Sequence, residues 1–213
     1  MDPQHLMRHG AGASTVTRAD AATLGDVRAI VSYGPRIPDE SDLRLCGEVQ
    51  GKRVLELGAA GGAAAAFAAR GAKAIAVDPT RAALDVARAR AAELSEPGEE
   101  LRVECHQGDL ADLGFATSGS VDLVFSAVVL GVVDDLSRVL RSDGLFVFSV
   151  PHPVAVMAEA GTHRYGEGGR TVSEIFMALV RTNFNVEVLA EPPAIGGGAT
   201  PPMLVVRARK LGL

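Results

Sequence analysis

The sequence predicts an α/β fold built on a doubly wound, mostly parallel sheet, and three observations predict it. First, residues 54–57 form an apolar run that ends in Gly58-Ala59-Ala60-Gly61-Gly62. An alanine-rich stretch follows, and then a second apolar run over 74–78 ends on Asp78. Strand, turn, helix and strand in that order is the repeating unit of a parallel sheet. Second, residues 145–150 are near-continuously apolar, as a strand covered on both faces is. Third, residues 172–181 carry apolar side chains at helical spacing, and two further strand-like runs follow at 184–189 and 203–208, separated by a proline- and glycine-rich loop.

The first unit carries the chemistry. No side chain in the 58–62 turn is larger than a methyl group, so a ligand can approach the backbone closely. A helix opening near Gly62 aims its free N–H groups at the same crevice. Asp78, at the carboxyl end of the second strand, stands where a carboxylate accepts hydrogen bonds from both ribose hydroxyls in a doubly wound sheet. The competing reading is that the small residues only let helix and strand pack closely, and that Asp78 caps a helix beginning at Pro79. The dinucleotide pattern G-x-G-x-x-G fits Gly58-Ala59-Ala60-Gly61-Gly62-Ala63 poorly.

The pattern instead resembles E/D-x-G-x-G-x-G, the first motif of class I S-adenosylmethionine-dependent methyltransferases, with Glu56, Gly58 and Gly62 in register and Ala60 replacing the middle glycine. That resemblance implies S-adenosylmethionine as cofactor, S-adenosylhomocysteine as product, and Glu56 as an indirect partner of the methionine ammonium. Ala59, Ala60 and Pro79 then join the cofactor cradle with Gly58, Gly62 and Asp78. Residues 101–110 look like the third strand and its loop, where the family reads adenine with an Asp and the next backbone N–H; Asp109 and Leu110 take those positions. Residues 121–127 resemble the family's fourth strand, whose carboxyl end lies between cofactor and substrate, so Ser126 and Ala127 are expected to line the site. Asp122 sits at that strand's entry and reads as a structural start signal. For Glu56, Gly108-Asp109 and Ser126, strand-end charge, turn chemistry and plain solvation remain the alternatives.

The fifth strand is preceded by Ser142-Asp143-Gly144, read as a turn, and ends in Pro151-His152-Pro153. Because ligands of open α/β sheets bind beyond the carboxyl ends of the strands, His152 falls on the catalytic rim, as a general base, a substrate donor or a packed loop residue. Tyr33, Arg36 and His152 are the candidate substrate residues, with the loop after Ser126 and the stretch 152–170; Tyr33 is equally readable as a core aromatic. The resemblance runs from about residue 30 to 210 and implies a Rossmann-like sheet of seven strands closed by a C-terminal antiparallel hairpin. Tyr33-Gly34-Pro35-Arg36-Ile37-Pro38, residues 148–153 and the ending Val205-Val206-Arg207-Ala208-Arg209-Lys210 narrow it to bacterial methyltransferases of the methyltransferase-11 type. Against such relatives, the stretch 128–141 reads as short.

Composition limits the class. With 213 residues, 47% hydrophobic and 22% charged, the chain suits one domain able to bury its own core. Residues 26–213 are expected to form it, with 1–25 a flexible segment or lid. A net charge of −5 and 4% aromatics without Trp give neither a basic stripe nor a stacking platform, so nucleic acid is not an expected partner. Cys46 and Cys105 lack disulfide or metal-ligand spacing, and His5 and His9 lack a third ligand, so no metal is expected. No apolar run has membrane-span length and no signal peptide opens the chain, which implies cytoplasmic residence and no membrane partner.

The reading is therefore transfer of a methyl group to a small-molecule acceptor by in-line displacement, achieved mainly by alignment. Its alternatives are a catalytically degenerate protein of the same fold that binds a ligand or partner, and an NAD-dependent oxidoreductase. The first is motivated by Ala60 and the short connection. The second is opposed by the terminal hairpin.

Overall fold

A computed structural model of the chain describes residues 29–98, 100–127, 133–167 and 169–212. Among them, seven strands make one sheet in the order β3-β2-β1-β4-β5-β7-β6. They are β1 (Arg53–Leu57), β2 (Lys73–Asp78), β3 (Val103–Gln107), β4 (Val121–Ala127), β5 (Leu140–Pro151), β6 (Phe184–Ala190) and β7 (Met203–Lys210). Strands β1 to β5 run parallel, while β7 is antiparallel to both β5 and β6. The seven strands and the closing hairpin read from the sequence are both present. The order reverses between β1 and β4, which makes a crevice at the carboxyl ends of the strands. Leu57 pairs with Val77 on one side and Ser126 on the other, so the ends of β1, β2 and β4 lie level there.

Alternation along these strands divides the core between the two faces. Val54, Ala74, Ala76, Leu123, Phe125 and Val147 face α2 (Ala63–Ala69) and α3 (Arg81–Leu94). Leu55, Leu57, Ile75, Val77, Phe146 and Phe148 face α4 (Val133–Val139) and α6 (Val172–Arg181) through Leu136, Val139, Ile175 and Leu179. Ala63 to Ala68 of α2 are all buried, and their small side chains let the helix lie close to the sheet beneath α3. Phe67 anchors it edge-on to Phe125 at 5.4 Å, and Phe125 meets Tyr33 at 5.6 Å. Truncating a buried aromatic such as Phe67 to alanine costs about 3–5 kcal/mol, so this stack is a main fixture of the face.

One local reading is corrected, and two helices are added to it. Ser142-Asp143-Gly144 is not a turn before β5 but part of it. Val121 pairs with Leu140 and Leu123 with Leu145, leaving residues 141–144 as a bulge opposite Asp122, with Asp143 left-handed at φ 62°. The residues after His152 form α5 (Pro153–Glu159), whose sequence signal is the proline at its first position. A short helix, α1 (Glu40–Leu43), also precedes β1, its first turn capped by Asp39. Asp122 behaves as expected: it accepts from the Arg53 N–H at 2.9 Å and pairs with Arg141 at 2.7 Å. Among the described residues, no helix is long and apolar enough to cross a membrane. Residues 1–25, with His5 and His9, and the first part of the 128–141 connection lie outside the described residues.

Candidate functional site

The turn after β1 and the end of β2 are joined directly. Gly58 and Gly62 take the left-handed conformation at φ 81° and 64°, which glycine adopts without a Cβ penalty, and one turn of 3-10 helix, Ala59–Gly61, lies between them. The Asp78 carboxylate accepts the Ala59 N–H at 3.0 Å through one oxygen, and the Thr80 N–H at 2.8 Å and hydroxyl at 2.7 Å through the other. Thr80 caps α3, so the helix begins at Arg81 and not at Pro79. Pro79 is exposed, and its carbonyl accepts the Gln107 amide at 3.1 Å; the Gly108 N–H donates to the Asp78 carbonyl at 3.2 Å. The β3 loop is thereby fastened beside Asp78. Asp109 is exposed and accepts the Ala111 N–H at 2.9 Å, while Leu110 packs partly buried against the core.

Glu56 corrects one expectation. Its two carboxylate oxygens accept the first N–H groups of α2, from Ala63 at 3.0 Å and Ala64 at 2.7 Å, so those groups are not free for an anionic ligand. Glu56 is 1% exposed. Burial pushes its carboxyl up to about 7, against the pull of the two N–H donors and with a small push from Asp78. Ser126 is buried too, and its hydroxyl donates to the Leu57 carbonyl at 3.1 Å, tying β4 to β1. Ala127 is partly exposed at the strand end.

The three candidate substrate residues each have hydrogen-bond partners within the protein. Tyr33 is fully buried; its hydroxyl donates to Glu40, which also accepts the N–H groups of Leu45 and Cys46 at 2.8 Å each. It packs as a core residue and fixes the segment before β1. Arg36 is exposed, in the left-handed region at φ 63°, and its guanidinium donates to the Gly197 carbonyl at 2.7 Å. His152 accepts the Val154 N–H at Nδ1, 3.2 Å, capping α5, which leaves Nε2–H to donate to Glu191 at 2.8 Å. Both ring nitrogens thus have partners within the protein. The β6–β7 connection links both rim residues through Glu191 and Gly197. Sequence reasoning missed it because Glu191 is 39 residues and Gly197 161 residues from its partner.

The arrangement suits a nucleoside better than a phosphate. Asp78 places a buried carboxylate at the rim; its Oδ1 is filled by the two Thr80 donors, while Oδ2, which accepts only the Ala59 N–H, retains a lone pair for a hydroxyl donor. Ala60 and Gly61 are exposed on the turn beside it, leaving backbone accessible to a flat ligand. The helix N-terminus that would hold a pyrophosphate is closed by Glu56.

Residues 55–148 match the family model described as a methyltransferase domain, Methyltransf_11. Among curated proteins no relative matches the chain. Solved structures share the fold at low identity. A Listeria monocytogenes protein solved as a candidate S-adenosylmethionine-dependent methyltransferase is 21% identical, with 79% of this chain and 95% of that one covered and a TM-score of 0.67. An S-adenosylmethionine-dependent methyltransferase of Mesorhizobium loti is 21% identical over 78% and 94%, at 0.57. The geranyl diphosphate C-methyltransferase of Streptomyces coelicolor, solved with Mg2+, geranyl diphosphate and S-adenosylhomocysteine, is 14% identical over 81% and 77%, at 0.62.

Proposed function

Starting from a chain that carries an S-adenosylmethionine-dependent methyltransferase domain, we propose that it transfers a methyl group from S-adenosylmethionine to a small-molecule acceptor by in-line displacement. The observation that carries the reading is the bond between Asp78 and Ala59, which sets a ribose-type carboxylate against an open small-residue turn. When bound, the cofactor supplies a methyl group on a positively charged sulfur, already activated for displacement. Asp78 takes the ribose hydroxyls, Gly58, Ala59, Ala60 and Gly62 line the amino-acid portion, and Pro79, Asp109 and Leu110 border the adenine. Glu56 acts from beneath by holding the turn and α2 in place. Ser126 fixes the β4 end, and Ala127 stands between cofactor and acceptor.

The protein's contribution is alignment and exclusion of water, which in well-oriented intramolecular models is worth roughly 7–11 kcal/mol. With His152 committed at both nitrogens, the acceptor's proton is released to solvent. A net charge of −5 and the absence of Trp favour a small molecule over nucleic acid as acceptor. Calorimetric titration with adenosylmethionine, adenosylhomocysteine and NAD tests the reading. Micromolar binding of the two sulfur nucleosides, weakened in Asp78→Ala, supports it; binding of NAD alone, or of none in folded protein, overturns it. Ala60 in place of the middle glycine favours a second reading, a binding protein without turnover, which predicts adenosylmethionine binding but no adenosylhomocysteine formed with any acceptor pool.

A further inference from the structure

The rim continues past Ala127 into a cavity that the cofactor cradle does not use. Ala127 pairs with Ser149 of β5, and the next two residues, Val150 and Pro151, form one wall of a cavity of about 290 Å³. Pro153 and Val156 of α5, Ile175 of α6, and Gly169 and Arg170 complete it. Val150, Pro153 and Ile175 are buried and make the floor; Pro151, Gly169 and Arg170 are exposed and make the mouth. β5 lies two strands from β1, and strands are spaced about 4.8 Å, so the wall stands roughly 10 Å from the Gly58 turn, within reach of one ligand lying across the rim. The volume is at or below the low end of small-molecule sites, roughly 300–1,000 Å³, which admits a compact molecule and no polymer.

Arg170 is the one charged residue in that lining. Its neighbour Glu174 feels its charge, but the Glu174 carboxylate is held by the Thr171 N–H at 2.8 Å and hydroxyl at 2.9 Å in the capping box of α6. Among the described residues, the Arg170 guanidinium makes neither a hydrogen bond nor an ion pair. An apolar floor with a single planar cation at its mouth matches an apolar body bearing one carboxylate, which a guanidinium grips through two parallel N–H donors. A phosphate, with its second charge, calls for more than one cation.

We propose that this cavity is the acceptor site, and that it takes a compact, mainly apolar monocarboxylic acid whose carboxylate pairs with Arg170 while its body rests on Val150, Val156 and Ile175. The proposal rests on the methyl-transfer reading. In the reaction, a second nucleophilic atom of the acid bonds to the methyl carbon as the carbon–sulfur bond breaks, its electron pair staying on sulfur, and the acceptor's proton passes to water. Arg170 anchors and orients; it takes no part in bond exchange.

The test is titration of the full chain, with and without saturating adenosylhomocysteine, using benzoate, hexanoate, benzyl alcohol and phenyl phosphate as probes. Wild type, Arg170→Gln, Arg170→Lys and the cavity-filling Val156→Phe are compared. At least one carboxylate is expected to bind, to lose about tenfold in Arg170→Gln with partial recovery in Arg170→Lys, and to be lost in Val156→Phe. Benzyl alcohol is expected to bind more weakly and to ignore Arg170→Gln, and adenosylhomocysteine affinity to stay the same in all three variants. Failure of both carboxylates, equal binding in Arg170→Gln, or a preference for phenyl phosphate overturns the proposal. Carboxylate binding that depends on Arg170 but with no adenosylhomocysteine binding removes the transferase reading and leaves a carboxylate-binding cavity.

Discussion

The carboxylate of Asp78, at the end of β2, accepts the backbone N–H of Ala59 in the turn after β1 at 3.0 Å. Two segments about twenty residues apart are thus set by one side chain, whose other oxygen anchors the Thr80 cap of α3. Removing it should loosen both the turn and the helix start.

Asp78→Ala is therefore expected to destabilise the fold as well as weaken nucleoside binding. A hydrogen bond to a charged group is worth about 1.5–3 kcal/mol, so chemical denaturation should show a loss of at least that size. Asp78→Asn keeps the shape and should recover part of the stability while adenosylhomocysteine affinity stays at least about tenfold down. If affinity falls only in step with stability, Asp78 is a brace and not a ligand.

Glu56 makes stability depend on pH. Its carboxyl titrates near the ordinary 4.5 when unfolded and at about 7 when folded. Below 4.5 it is neutral in both states and its contribution is complete; as pH rises to about 7 the unfolded chain sheds the proton first and the contribution is lost. The shift corresponds to a loss on the order of 3 kcal/mol. Urea unfolding at pH 5 and pH 7.5 should show wild type losing more stability than Glu56→Gln over that interval, and parallel behaviour of the two proteins would sink the assignment.

The sheet was legible because its signals are local. The apolar runs of β1, β2, β4 and β5, the glycine turn and the alanine-rich helices each announce themselves within a dozen residues, and register follows from which face each strand buries. The pairs that decide roles were not legible. Tyr33 with Glu40, His152 with Glu191 and Arg36 with Gly197 are tertiary hydrogen bonds, and no spacing rule links a rim histidine to a glutamate in the β6–β7 connection. Glu56 shows the same limit from the other side: its acidic position was visible, but its capture of two helix N–H groups depends on how the turn folds back.

His152→Ala should cost stability, not chemistry. Losing a helix N-cap costs about 1 kcal/mol, and the contact with Glu191 goes with it. His152→Asn retains the cap and should restore most of that loss. Once an acceptor is in hand, the dependence of turnover on pH between 5.5 and 8 should be the same in wild type and both variants. Disappearance in both variants of a pH limb that wild type shows would return the imidazole to the chemical step.

Tyr33→Phe isolates the contribution of one buried hydroxyl. The ring keeps its place against Phe125, but Glu40, only 5% exposed, loses one of its three donors. Leaving a buried acceptor short of a partner costs about 1–3 kcal/mol, more when it is charged. The expected result is a lower urea midpoint at unchanged adenosylhomocysteine affinity, because the Glu40 network braces the segment before β1 and does not touch the crevice. A variant with normal stability and weakened nucleoside binding would instead place Tyr33 over the cofactor, the reading its burial argues against.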